Sequence, residues 1–65
     1  MNIEKLERYE EALEVVKANR KASVTFLQRK MRIGYVWAAK IIDRMEQEGL
    51  IGPYRGDKPR EIHIK

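Results

Sequence analysis

Apolar side chains recur at intervals of three and four along most of the first 48 positions of this chain, and the rhythm breaks only twice. Leu6, Tyr9, Ala12, Leu13 and Val16 make the first stripe, and Val24, Leu27 and Met31 the second. Tyr35, Ala38, Ile42 and Met45 make the third, with Ile41 at its margin. A period near 3.6 puts such residues on one face of a helix. The pattern predicts three amphipathic helices, over about 3–18, 24–31 and 34–48. Asn19 suits a left-handed stop after the first, and Ser23 suits the N-cap of the second. Gly34 is expected to supply the backbone freedom of the turn into the third, and Gly49 to end it.

Beyond Gly49 the period changes. Ile62 and Ile64 alternate with Glu61, His63 and Lys65, the spacing of a half-buried strand, and residues 50–54 read as its partner across a charged loop, 55–60. Residues 21–23 are placed to add a brief third strand. The expected fold is mainly α with a small β-hairpin: a winged helix-turn-helix of three helices and a two- to three-stranded antiparallel sheet. With 65 residues there is room for one domain, spanning 1–65, whose single core must stabilise it without disulfides, because cysteine is absent.

Catalysis finds no support. One histidine, one serine and no cysteine cannot assemble a nucleophilic triad, a thiolate metal centre or a multi-histidine site, and no glycine-rich phosphate loop occurs. The chain is expected to be no enzyme and to carry no metal or cofactor. No apolar run approaches the roughly 20 residues that span a bilayer, so membrane contact is not expected and the cytoplasm is the expected location.

Charge is laid out unevenly. Residues 1–19 hold five glutamates against three cations, net −2, whereas residues 20–44 hold seven cations and one aspartate, net +6. Residues 45–65 balance four against four. A basic block beside an acidic one suits a polyanionic partner, nucleic acid being the commonest, although a solvated face would carry the same composition.

Arg20-Lys21-Ala22-Ser23, the run from Leu27 to Tyr35, Ala38-Ala39-Lys40-Ile41-Ile42-Asp43, Met45-Glu46, Glu48-Gly49, Gly52-Pro53 and Lys58-Pro59-Arg60-Glu61 follow one another in a familiar order. Over about 9–64 the chain resembles the carboxy-terminal gamma domain of the FtsK/SpoIIIE DNA translocases. The resemblance implies a winged helix that binds short, asymmetric, G-rich sequences in double-stranded DNA and so orients a translocase during chromosome segregation and cell division. It also implies contact with a XerD-type tyrosine recombinase or with the translocase's motor subunits. One departure stands out: where the family usually carries Asn then Arg after its Ile-Gly-Tyr turn, this chain has Val36 and Trp37, and a later Arg is Lys40. Valine and indole make no bidentate contact to a base edge, so an altered sequence preference is expected.

The candidate DNA-binding residues follow from the helical wheel and the loop. Gln28, Arg29, Lys30 and Arg32 crowd the second helix and its turn, where phosphates are gripped. Val36, Trp37, Lys40 and Arg44 lie opposite the apolar stripe of the third helix, and Arg55, Lys58 and Arg60 make a basic wing. In the alternative reading, Trp37 anchors a protein partner, the recombinase or a translocase subunit, because exposed aromatics dominate such interfaces.

Overall fold

The computed structural model describes residues 6–65. Three helices account for its regular structure: α1 (Tyr9–Asn19), α2 (Val24–Met31) and α3 (Tyr35–Gln47). The first expected helix is shorter than its stripe, because Arg8 takes a left-handed backbone (φ 63°) immediately before α1. The three residues 3–5 of that expectation lie outside the described residues. Arg8 is held there from two sides. Its guanidinium donates twice to the Glu11 carboxylate at 2.9 Å, and once to the Met31 carbonyl at 3.0 Å. That carbonyl lies at the end of α2, so the side chain at the start of α1 satisfies a backbone acceptor at the end of α2.

The breaks are built differently from the expectation at two points. Asn19 stays helical and bonds the Val15 carbonyl, and Arg20 takes the left-handed stop at φ 54°. Between α2 and α3 the left-handed residue is Arg32 (φ 57°), whereas Gly34 is extended at φ −70° and serves as the N-cap of α3. Ser23 caps α2 as expected, its hydroxyl accepting from the Phe26 N–H at 3.0 Å. Gly49, at φ 74°, closes α3 with a Schellman pair of bonds, Gly49 N–H to Glu46 and Leu50 N–H to Met45.

Among the described residues, ten apolar side chains form the core: Ala12 and Val16 from α1, Ala22, Leu27 and Met31 from α2 and its approach, Ala38, Ile41, Ile42 and Met45 from α3, and Ile51. No charged or polar side chain is buried among the described residues. Ile41 is as fully buried as Ala38, Ile42 and Met45, and Tyr35, expected inside, is 58% exposed.

The expected hairpin and sheet are not formed. Among the described residues there is no strand, only one antiparallel bridge between Ile51 and Ile62, so the domain is helical and not a winged helix with a sheet. The segment after α3 does double back, held by Gly52 N–H to Glu61 C=O at 2.9 Å and His63 N–H to Leu50 C=O at 2.8 Å. Prolines at 53 and 59 lack the N–H that a longer ladder would need. The alternation of Ile62 and Ile64 therefore reports their half-burial against the core and not sheet pairing. Residues 21–23 likewise form no strand.

Candidate nucleic-acid interface

Cations divide into two sets according to what their side chains touch. Arg8, Arg20, Arg44 and Arg60 are braces. Arg20 reaches the Ile62 and Ile64 carbonyls, tying the end of α1 to the last segment. Arg44 bonds Glu48 at 2.8 Å and lies 5.7 Å from the Tyr9 ring, while the Tyr9 hydroxyl donates to the other Glu48 oxygen at 2.7 Å. This cluster joins the start of α1 to the end of α3. Hydrogen bonds from Tyr9 and then Arg44 hold the Glu48 carboxyl below its ordinary range; burial, aided by Glu48, pushes the Tyr9 phenol up. Arg60 has only 13% of its side chain exposed and donates at 2.9 Å to both Glu46 and the Gly52 carbonyl.

The second set has no acidic partner among the described residues. Arg29, Lys30 and Arg32 are exposed on the last turn of α2 and the connection that follows, with Gln28 half-buried beside them. Arg55 and Lys58 are exposed in the returning segment. Lys40 stands on the outer side of α3, its ammonium 5.7 Å from the Trp37 ring.

Helix α3 thus has three sides. Ala38, Ile41, Ile42 and Met45 face the core. Trp37 and Arg44 form a flank turned toward the start of α1: the indole is half-buried, packs against the core and donates its N–H to the Glu7 carbonyl at 3.1 Å. Glu46 forms the other flank, against Arg60. What remains outward is Val36, Lys40, Asp43 and Gln47, with half-buried Ala39 among them. Val36 is 66% exposed. Asp43 makes no hydrogen bond or ion pair among the described residues, so the pairing with Lys40 or Gln47 that its position allows is not formed.

Of the eleven residues the sequence singles out, seven are exposed, on α2, its turn, the outer strip of α3 and the returning segment: Arg29, Lys30, Arg32, Val36, Lys40, Arg55 and Lys58. Gln28 lies beside them. Trp37, Arg44 and Arg60 are engaged in holding the fold. Tyr35 was missed as a surface residue, although its place directly after the N-cap was the available signal. With Lys21, Tyr54, Lys58 and Pro59 it lines a cleft of ≈ 650 Å³ between the starts of α2 and α3 and the returning segment. No group of carboxylates and histidines suited to a metal occurs among the described residues, and no helix is long and apolar enough to cross a membrane.

A sequence model described as the Ftsk gamma domain matches residues 4–65. The chain is 54% identical over 56 residues to DNA translocase SpoIIIE of Bacillus subtilis (strain 168), a match covering 86% of the chain and 7% of the relative. It is 52% identical over 59 residues to DNA translocase FtsK of Listeria monocytogenes, covering 91% and 8%, and 55% identical over 56 residues to DNA translocase FtsK of Borreliella burgdorferi, covering 86% and 7%. The chain therefore spans less than a tenth of the length of these relatives.

Proposed function

The chain belongs to the FtsK gamma domain family, and from that membership we propose that it binds double-stranded DNA and reads its sequence, to direct a DNA translocase in chromosome segregation. The bound surface in this reading comprises Gln28, Arg29, Lys30 and Arg32 on α2 and its turn, Val36 and Lys40 on α3, and Arg55 and Lys58 in the returning segment. One observation carries it. While Arg8, Arg20, Arg44 and Arg60 are engaged in internal contacts, the cations of α2 and its turn are left exposed without an acidic partner among the described residues, next to an outward helix face. Phosphates are the counterions such a set fits, and a major groove about 12 Å wide admits one helix.

The module performs no chemistry of its own in this reading; translocation belongs to the remaining length of such proteins. Trp37, Arg44 and Arg60 are assigned to positioning, since each already has internal partners. The rival reading, a recombinase or translocase subunit anchored on Trp37, is the less well supported, because that indole is half-covered and its N–H is engaged.

Duplexes selected from a random pool by the 65-residue chain test the proposal, followed by titration of the best-bound duplex across salt concentrations. Affinity should fall on a log–log plot with a slope of about −0.9 per neutralised phosphate. An affinity indifferent to salt contradicts it.

A further inference from the structure

The outer strip of α3 begins with a group that has neither a donor nor an acceptor. Val36 is the second residue of the helix and 66% exposed, and Lys40 follows one turn later on the same side. Resting on the DNA-binding reading above, we propose that Val36 is a specificity-determining residue that reads the 5-methyl group of a thymine in the major groove, with Lys40 on an acceptor edge of a neighbouring guanine.

The chemistry of the groove narrows the choice. Among the four bases, only thymine presents an apolar group at the major-groove edge, and an exposed valine discriminates by apolar contact alone. Its β-branch confines χ1 to essentially one rotamer in a helix, so the two methyl groups are held in place before binding. The N-terminal residues of a docked recognition helix contact base edges, and Val36, the second residue of α3, is one of them. Ala39, three positions on and half-buried, prolongs the apolar strip on one side. The bulkier indole next door does not cover it, since Trp37 is turned to the Glu7 carbonyl.

Lys40 supplies the strip's one cation, and Asp43, exposed and without a partner among the described residues, supplies an acceptor one turn further on. A carboxylate beside a single ammonium disfavours the acceptor-rich edges of consecutive guanines. One helical turn advances about 5.4 Å and one base pair about 3.4 Å. The thymine and the guanine should therefore lie one or two base pairs apart.

The test uses the 65-residue chain and the duplex it selects most strongly from a random pool. Each thymine is replaced in turn by deoxyuridine, which removes the methyl group and leaves every hydrogen-bonding atom. At one position the replacement should weaken binding about fourfold, the worth of one buried methyl. Val36→Ala should bind the thymine and uracil duplexes alike, while Lys40→Ala, though weaker on both, should keep the ratio. The inference is overturned if no thymine matters, if the selected duplexes share none, or if the ratio survives intact in Val36→Ala. Failure to bind any duplex would instead overturn the DNA-binding reading itself.

Discussion

The indole N–H of Trp37 donates to the backbone carbonyl of Glu7 at 3.1 Å, joining α3 to the segment that precedes α1 across 30 positions of sequence. A residue that helical periodicity assigns to the outward face thus acts as a brace. Trp37→Phe keeps the ring against the core and leaves the carbonyl without its donor, which should cost about 1 kcal/mol of folding free energy. Trp37→Ala removes the packing as well and should cost roughly 2 kcal/mol or more. Urea unfolding measures both. DNA affinity in the Phe variant should match the parent, whereas Lys40→Ala should weaken it.

Arg60 and Lys58 are two residues apart and should separate in the same way. The Arg60 guanidinium is nearly covered and bonds both Glu46 and the Gly52 carbonyl, so Arg60→Ala leaves a part-buried carbonyl without a partner. A stability loss of about 1–3 kcal/mol is expected. Lys58 is exposed and meets no acid among the described residues. Lys58→Ala should leave the unfolding midpoint unchanged and reduce the salt slope of DNA binding by about one. Equal stability losses in the two variants would contradict the division of cations into braces and contacts.

The three helices were legible because a 3.6 period is a local property, written in residues three and four apart. The Ser23 cap was legible for the same reason. What was not legible depends on partners far away in the chain. Arg60 and Lys40 look alike as cations, and only the fold reveals that Glu46, 14 positions away, meets the first while Lys40 stays outward. The returning segment misleads differently: Ile62 and Ile64 alternate because the core is on one side of them, and a single bridge at Ile51 satisfies that geometry without a sheet. Burial and ladder formation impose the same two-residue period, so the pattern alone cannot tell them apart.

Two glycines at the ends of α3 should respond oppositely to substitution. Gly49 holds φ 74°, where an added Cβ is strained although nothing lies within 4 Å of it, so Gly49→Ala should destabilise by about 1–2 kcal/mol. Gly34 is an N-cap in ordinary extended geometry, also with open space around its Cβ position. Gly34→Ser should therefore gain a few tenths of a kcal/mol by offering a hydroxyl to the first turn of α3. Thermal unfolding of the two variants beside the parent checks the signs.

His63 makes the stability of the returning segment depend on pH. Its Nδ1 lies 3.2 Å from the Gly49 carbonyl oxygen and its Nε2 lies 3.2 Å from a Glu61 carboxylate oxygen. Both neighbours are acceptors, and a neutral imidazole has one N–H to give; only the imidazolium serves both. Glu61 first, and the Gly49 carbonyl second, push the His63 pKa above its ordinary 6.5. The folded state therefore holds the proton more tightly than the unfolded one. The resulting stabilisation is fully present below the unfolded value near 6.5 and is lost as pH rises through the raised folded value. Glu11 and Glu48, both lowered in the fold, act in the opposite sense and in the acid range, where their contribution disappears as pH falls. The melting temperature should thus decline as the solution passes from mildly acidic to mildly alkaline. His63→Gln should be flat across that window, and Glu61→Gln should flatten it in part. Proton NMR titration of the imidazole in the folded chain reads the cause directly, and a midpoint at or below 6.5 would contradict the assignment, because the two acceptors would then not be sharing an imidazolium.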